Sequence, residues 1–236
     1  AETAYVAGLL LSTAPGTRRL LELGCGTGAH ALELAKLGFE VSGIDLSAAM
    51  VQRAQARRAA APELAPRVAF ARGDVRSHRD GQRYDGVVSL FHVMSYQVAN
   101  EDLGDAFITA RTHLPPGGVF LFDAWWGPAV LSDRPRHVTK DVADERVQVQ
   151  RRTRPVMHVA DNVVDVHFEV DIRARDGRSQ PGPSRADDRE PPAHIRPSAC
   201  TFQAFGTSQP LPSSMLRIFS ASPAAFRLAS MRWYQT

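Results

Sequence analysis

The chain has 236 residues, near the upper end of one α/β domain and short for two full ones. Its 44% of hydrophobic and 22% of charged residues are typical of a globular protein and exclude a disordered chain, a collagen and a coiled coil. The net charge of +3 arises in residues 175–236, where eight Arg stand against four acidic residues, whereas the rest holds 20 basic and 21 acidic residues. We therefore expect no nucleic-acid-binding face on the main body of the chain.

We expect neither a targeting signal nor a disulfide framework in this sequence. No run approaches the roughly 20 apolar residues of a membrane span, and no basic segment with an apolar core opens the chain as a secretory signal would. The two cysteines, Cys25 and Cys200, are too few for a disulfide framework. We expect a cytoplasmic protein with no membrane partner.

Short apolar runs alternate with helical patterns over residues 20–123. The patterns predict helices over residues 2–12, 29–37, 47–60 and 101–114, and strands over residues 20–23, 39–44, 68–71, 84–90 and 119–122. The strands are continuous apolar runs, not alternating ones. We therefore expect an α/β fold whose parallel sheet is covered on both faces.

The pattern changes after Asp123. Residues 136–141, 146–154 and 162–172 are predicted as strands, the last with alternating apolar residues through Val166, Phe168, Val170 and Ile172, which indicates a hairpin or meander layered beside the sheet. Residues 175–236 hold eight of the 16 Pro and show no sustained period before about residue 224, so we expect a mostly irregular tail. The chain is thus predicted to divide into a core over 1–128, a β insertion over 129–174 and the tail over 175–236.

A glycine-rich loop joins the first predicted strand of the sheet to the helix that follows it. The segment reads Glu22-Leu-Gly-Cys-Gly-Thr-Gly28, and its glycines let the backbone turn tightly and approach a ligand closely. Asp45 ends the next strand, where a carboxylate can accept both hydroxyls of a ribose. Asp74 follows the third strand and is placed to meet an adenine amino group. A competing interpretation is a dinucleotide fingerprint, which Gly24, Gly26 and Ala29 also fit.

These three features together resemble the class I S-adenosylmethionine-dependent methyltransferases. The signature of that family is E/D-x-G-x-G-x-G, an acid ending strand two and an acid after strand three, and all three parts occur here at the right spacing. Tyr84-Asp85 opening strand four and Leu114-Pro-Pro-Gly-Gly118 before strand five add to the likeness. The resemblance implies a Rossmann-like three-layer sandwich and the cofactor S-adenosyl-L-methionine.

A second resemblance, over about residues 3–172, is to the aminosugar N,N-dimethyltransferases, which act on nucleotide-linked deoxyamino sugars. It rests on the segment Phe122-Asp-Ala-Trp-Trp-Gly-Pro128 and on the predicted β excursion that follows. These motifs are less specific than the glycine loop. The resemblance implies an antiparallel β layer added after strand five and a small-molecule amine as methyl acceptor.

The first resemblance also implies roles for individual residues around the cofactor. It places Glu22, Gly24, Cys25, Gly26 and Gly28 at the methionine end, Asp45 at the ribose, Leu46 and Met50 along the adenosine, and Asp74 and Val75 at the adenine. Phe91 and His92, after strand four, would lie beside the reactive methyl group. Cys25 is interpreted as a small loop side chain with no nucleophilic role.

An amine must be unprotonated to attack a methyl group, and a nearby base can take its proton. The candidates are His92, Tyr96 and Asp123, all near carboxyl ends of strands. Trp125 and Trp126 are candidates for the wall of the acceptor pocket. Simpler interpretations stay open: a hydrogen-bonded strand-end histidine, a packing tyrosine, an aspartate that caps a turn, and one core tryptophan.

No metal site is predicted. His158 and His167 lie in the β layer without a cysteine or acid at ligand spacing. His113, before the Pro-Pro-Gly-Gly turn, is interpreted as a solvated helix end.

Two departures from the family are expected. An N-terminal lid usually precedes the first helix of these enzymes, and we expect it to be missing here. The family also closes its sheet with a reversed hairpin, of which residues 175–236 show no pattern. A shifted reading frame in a GC-rich gene is our hypothesis for the tail, since 26 of the 28 basic residues are Arg.

Three alternatives to amine methylation stay open. They are a small-molecule O-methyltransferase, a cofactor-binding remnant without turnover, and a NAD-dependent oxidoreductase, against which Asp74 argues. The expected partner is a small-molecule acceptor, and a homodimer also stays open.

Overall fold

The computed structural model describes residues 2–174 and the strand residues 193–195, 214–221 and 226–232. Grouped by their internal contacts, Ala1–Ala124 and Pro210–Thr236 form one unit and Trp125–Gln209 a second. The three-part division at residues 128 and 174 stays a prediction. Among the described residues, no helix has the length and apolar character needed to cross a bilayer.

Helices and parallel strands alternate through the first unit. The elements are α1 (Glu2–Thr13), β1 (Arg19–Leu23), α2 (Ala29–Lys36), β2 (Glu40–Asp45), α3 (Ala48–Ala59), β3 (Val68–Arg72), β4 (Gly86–Ser89), α4 (Asn100–His113) and β5 (Val119–Trp125). The five strands pair in parallel in the order β3-β2-β1-β4-β5. The predicted α/β fold is therefore confirmed, with helix and strand ends within a few residues of those expected.

Both faces of this sheet are buried. Successive side chains of a strand point to opposite faces, so Leu20 packs in one core with α1 and α2 while Leu21 packs in the other with α4. The strand β4 repeats this division, since Val87 lies in the second core and Val88 in the first. Because an apolar core lies on each face of the sheet, the strands are continuous apolar runs in the sequence. The sheet and the helices on its two faces form the predicted three layers.

The second unit carries the predicted antiparallel layer. Its elements are α5 (Gly127–Ser132), β6 (Val138–Ala143), β7 (Val147–His158), β8 (Val163–Ala174) and β9 (Ala193–Ile195), with the strands paired in sequence order. The helix α5 was not predicted from the sequence. The helix has only six residues, with a proline in its first turn, too short to show a period.

Three strands lie within residues 175–236, where we expected an irregular tail. Besides β9, they are β10 (Ser214–Ala221) and β11 (Phe226–Arg232), which pair antiparallel and extend the parallel sheet beyond β5. The expectation that the sheet lacks its closing hairpin is therefore wrong. The high Pro content of the tail concealed two short apolar runs with Pro223 between them, a residue suited to turns. The other tail residues, including Cys200, lie outside the described residues.

Candidate active site

The glycine loop after β1 is held by backbone hydrogen bonds. The amides of Gly24 and Cys25 both donate to the carbonyl oxygen of Ile44, each at 2.8 Å, so the loop is tied to the end of β2. Gly24, Gly26 and Gly28 have φ angles of 76°, 52° and 73°, which glycine adopts without the steric penalty of a side chain. The backbone conformation of this loop therefore favours glycine at all three glycine positions of the E/D-x-G-x-G-x-G signature.

The three glycines have different surroundings. A Cβ on Gly24 would lie 2.5 Å from the Val93 side chain, and one on Gly28 would lie 2.6 Å from the Phe70 ring. These two glycines allow close packing. A Cβ on Gly26 would meet nothing within 4 Å, so open space lies over the middle of the loop. A ligand can approach the backbone there.

The Asp45 carboxylate links this loop to α3. Its Oδ2 accepts from the amide of Gly26 at 2.8 Å, and its Oδ1 accepts from the amide of Ser47 at 2.9 Å. Ser47 caps α3, because its hydroxyl accepts from the Met50 amide. A carboxylate offers about four acceptor positions, so about two remain for a ligand. These can accept the two hydroxyls of a ribose, as the sequence analysis expects.

Glu22 is a buried carboxylate beneath the loop, with 1% of its surface exposed. Its Oε1 lies 3.8 Å from His30 Nδ1, and its Oε2 has no hydrogen-bond partner among residues 2–174. Burial, and then the negative charge of Asp45, raise the pKa of Glu22 to about 8. A buried carboxylate with a free oxygen is a receptor for a cation, and the ammonium group of a methionine moiety fits it.

Asp74 has a partner that the sequence analysis missed. Arg76 Nε donates to its Oδ1 at 3.0 Å and Arg76 Nη2 to its Oδ2 at 2.7 Å, while Arg76 Nη1 reaches Asp102 at 3.0 Å. The Arg76 hydrogen bonds lower the pKa of Asp74, which is therefore an ionised acceptor with a fixed orientation. Spacing alone could not reveal Asp102, which comes 26 residues after Arg76.

Three apolar side chains among the predicted cofactor contacts are exposed. Leu46 is 57% exposed, Met50 37% and Phe91 69%, whereas Val75 beside Asp74 is buried. Leu46 follows the carboxyl end of β2 and Phe91 follows β4. In open α/β sheets that edge is the ligand-binding edge, and exposed apolar groups there can cover the flat faces of an adenosine.

His92 and Asp123 meet at the carboxyl ends of β4 and β5. The His92 amide donates to both Asp123 oxygens, at 3.0 and 3.1 Å, and His92 Nδ1 lies 2.9 Å from Asp123 Oδ2. The backbone at Phe91 and His92 has φ of 64° at both residues, a conformation that costs about 1–2 kcal/mol per non-glycine residue. The contacts of Asp123 hold His92 in this backbone conformation.

The His92–Asp123 contact favours one histidine tautomer. A carboxylate accepts hydrogen bonds, so Asp123 Oδ2, 2.9 Å from Nδ1, favours the tautomer of a neutral His92 that carries its proton on Nδ1. This is the arrangement of a base oriented by an acid. Tyr96 ends the short 3₁₀ turn Val93–Tyr96 that follows His92, and its side chain is 46% exposed.

The two tryptophans belong to the second unit, and each has a structural contact there. Trp125 packs against a small core formed by Val130, Val164 and Val166. The carbonyl oxygen of Trp126 accepts from the Val130 amide at 3.0 Å, so this residue begins α5. A place for either residue in an acceptor pocket stays a prediction.

Cys25 is buried in the glycine loop. Its burial is the main cause that raises the pKa of its thiol, and the negative charge of Glu22 is the next, so Cys25 is a poor nucleophile.

Comparison with known proteins agrees with this geometry. Residues 20–118 match the family described as Methyltransferase domain. The chain is 33% identical over 177 residues to dTDP-3-amino-3,4,6-trideoxy-alpha-D-glucopyranose N,N-dimethyltransferase of Streptomyces venezuelae, covering 72% of this chain and 68% of the relative. It is 32% identical over 133 residues to dTDP-4-amino-2,3,4,6-tetradeoxy-D-glucose N,N-dimethyltransferase of Saccharopolyspora spinosa, covering 56% and 51%.

Solved structures show the same fold. DesVI of Streptomyces venezuelae superposes with a TM-score of 0.59 at 27% identity, over 73% of this chain and 75% of that one. The sugar N-methyltransferase KedS8 from Streptoalloteichus superposes with a TM-score of 0.61 at 20% identity, over 99% of this chain and 71% of that one. The chain therefore belongs to the class I S-adenosylmethionine-dependent methyltransferases. Within that class it falls in the aminosugar N,N-dimethyltransferase subgroup, and its cofactor is S-adenosyl-L-methionine.

Proposed function

We propose that this chain methylates the amine nitrogen of a nucleotide-linked deoxyaminosugar. The observation that carries the proposal is the His92–Asp123 pair, in which a carboxylate oxygen lies 2.9 Å from the histidine ring at the carboxyl edge of the sheet. The names of the two curated relatives, both N,N-dimethyltransferases of dTDP-linked amino sugars, support the acceptor class. These names agree with a small-molecule acceptor, whereas a cytoplasmic location and a homodimer stay predictions.

The residues around the glycine loop fit the cofactor. Glu22 would hold the ammonium group, because its buried Oε2 lacks a hydrogen-bond partner among the described residues. The methionine end of the cofactor would lie on the loop formed by Gly24, Cys25, Gly26 and Gly28. Gly26 leaves open space for that end of the cofactor. Asp45 would bind the ribose. The adenosine would be enclosed by Asp74, Val75, Leu46, Met50 and Phe91. When bound, S-adenosylmethionine supplies an electrophilic methyl group on a sulfonium.

His92 is proposed as the base. Its Nε2 accepts the proton that the amine nitrogen loses on methylation, and the imidazolium then returns that proton to solvent. Asp123 keeps the Nδ1–H tautomer and stabilises the positive charge on the ring. Tyr96 is proposed to orient the acceptor through its hydroxyl. The remaining acceleration comes from holding the amine in line with the methyl group and away from water.

An acceptor panel tests the proposal. The purified chain is given S-adenosylmethionine and either a nucleotide-linked deoxyaminosugar or the same sugar with a hydroxyl in place of the amine, and products are followed by mass spectrometry. We expect two methyl groups on the amine and none on the hydroxyl analogue. His92→Ala and Asp123→Asn should lower kcat by about 100-fold or more while S-adenosylhomocysteine binding changes little. His158→Ala removes an exposed histidine of the second unit and is the matched control.

Each alternative has its own outcome. Methylation of the hydroxyl analogue alone would identify an O-methyltransferase. Calorimetric binding of S-adenosylhomocysteine without transfer to any acceptor would indicate a cofactor-binding remnant. Binding of NADH in place of S-adenosylhomocysteine would favour the oxidoreductase and contradict the proposal.

A further inference from the structure

Three side chains with metal-ligating atoms converge away from the glycine loop. His78 and Asp80 lie in the segment between β3 and β4, and His113 is the last residue of α4. One ligand atom from each residue lies within 4.8 Å of the other two. Asp80 Oδ1 is 3.1 Å from His113 Nε2, and Asp80 Oδ2 is 3.6 Å from His78 Nε2.

The orientation of His113 is the strongest sign of a site. We expected a solvated histidine, but its side chain is only 1% exposed. Its Nδ1 lies 2.8 Å from the carbonyl oxygen of Thr109, which can only accept, so the Nδ1 proton is fixed. A neutral His113 therefore directs a lone pair at Asp80 from Nε2, an atom with no hydrogen-bond partner among the described residues. A lone pair facing a carboxylate calls for a cation between them.

Asp80 is held as a ligating carboxylate is usually held. The Tyr84 hydroxyl donates to its Oδ2 at 2.6 Å and the Gln82 amide donates to its Oδ1 at 2.8 Å. Each oxygen keeps a further acceptor position. The Thr109 carbonyl oxygen orients His113 by accepting a hydrogen bond from its Nδ1–H. Metal-binding histidines nearly always donate their other ring N–H to a carbonyl or carboxylate in this way.

The distances suit a small tetrahedral ion. Nitrogen and oxygen ligands about 2.0–2.1 Å from Zn²⁺ are separated by about 3.3–3.4 Å in a tetrahedron. The separations of 3.1 Å, from His113 Nε2 to Asp80 Oδ1, and 3.6 Å, from His78 Nε2 to Asp80 Oδ2, are close to that value, and a rotation of the carboxylate would present one oxygen to both nitrogens. The His78 and His113 rings stack at 5.3 Å with 14° between their planes, so one of the rings must turn for both nitrogens to point at one ion.

We propose that His78, Asp80 and His113 bind one Zn²⁺ ion, with solvent as the fourth ligand. Asp80 and Tyr84 precede β4, and His113 precedes β5, so the ligands come from the segments that enter these strands. The Tyr84 amide donates to the His113 carbonyl oxygen at 2.8 Å, which already joins the two segments. The ion would tie the β3–β4 segment to the end of α4, and its role is structural. This reverses the prediction of no metal site.

The test is a Zn²⁺ titration of the full chain after dialysis against a chelator. We expect one equivalent to bind, the melting temperature to rise with Zn²⁺, and Co²⁺ to give the intense visible absorption of a tetrahedral site. His78→Ala, in a side chain that is 16% exposed, and Asp80→Asn should each weaken Zn²⁺ binding at least about tenfold. His167→Ala removes an exposed histidine and should leave binding unchanged.

Two results would overturn the proposal. One is a folded wild-type chain, shown by circular dichroism, that takes up neither ion, in which case a proton on His113 Nε2 is the cation that faces Asp80. The other is Zn²⁺ uptake that persists in both His78→Ala and Asp80→Asn, because the ion would then be bound elsewhere in the chain. Since both variants alter partly exposed side chains, circular dichroism can verify that they fold.

Discussion

Replacing Glu22 by glutamine should stabilise the cofactor-free protein and weaken cofactor binding. The wild-type carboxylate is buried with an oxygen that lacks a hydrogen-bond partner among the described residues, and its pKa is raised to about 8 by burial and by Asp45. An acid whose pKa is higher in the folded than in the unfolded state favours folding while it is protonated. That contribution is complete below about pH 4.5 and is lost as the pH rises through about 8.

The size of the effect follows from these two pKa values. A rise from 4.5 to about 8 corresponds to about 5 kcal/mol against ionisation in the folded state. Between about pH 6 and about pH 9, proton linkage then removes about 3 kcal/mol from the free energy of unfolding. Glutamine has nearly the same shape and does not titrate. The stability of Glu22→Gln should therefore lack this part of the pH dependence.

Urea unfolding of both proteins at several pH values measures the difference. Without cofactor, the stability advantage of Glu22→Gln should grow with pH and level off above about pH 9. Saturating S-adenosylhomocysteine should flatten the wild-type pH dependence, because its ammonium group compensates the ionised carboxylate. A difference between the two proteins that does not vary with pH would refute the argument that Glu22 is protonated in the cofactor-free fold.

Four further substitutions separate packing from binding. Gly24→Ala should destabilise the fold by several kcal/mol through its 2.5 Å contact with Val93, whereas Gly26→Ala should cost about 1 kcal/mol and mainly reduce S-adenosylhomocysteine affinity. Thermal melts measure the loss of stability and calorimetry measures the loss of S-adenosylhomocysteine affinity. Equal destabilisation by Gly24→Ala and Gly26→Ala would contradict the assignment of Gly24 to packing and Gly26 to binding. Arg76→Met should weaken S-adenosylhomocysteine binding about tenfold by freeing Asp74, and unchanged affinity would remove Asp74 from the site. Phe91→Gly should raise stability by about 1 kcal/mol while lowering affinity, and a drop in stability would contradict the strain at Phe91.

The parts of this fold that the sequence predicts well are those that depend on local chemistry. Five apolar runs became five parallel strands because both faces of the sheet are buried, and the glycine loop was recognisable because its backbone requires positive φ angles. The meeting of His92 with Asp123 was also within reach, since both follow neighbouring strands whose carboxyl ends share one edge.

The missed features depend on partners that are distant in sequence. Arg76 reads as one more surface arginine until Asp74 and Asp102 are seen on either side of it. His113 ends a helix before a polar turn, so exposure was the reasonable expectation. Its burial results from packing against a segment that precedes it by about 30 residues. No local period encodes such contacts.

The two sites share one segment of chain, so binding at one should affect the other. The backbone carbonyl of Asp74, the expected adenine contact, accepts from the amide of His78 at 2.8 Å, so the proposed zinc ligand lies in the turn that positions Asp74. Fixing His78 should fix that turn. We expect saturating Zn²⁺ to tighten S-adenosylhomocysteine binding about fivefold, the lower range of coupling between sites, with the same factor in reverse. Calorimetry of each ligand with and without the other measures both factors. Zn²⁺ binding that leaves the S-adenosylhomocysteine affinity unchanged would show that Asp74 is already held by Arg76 alone.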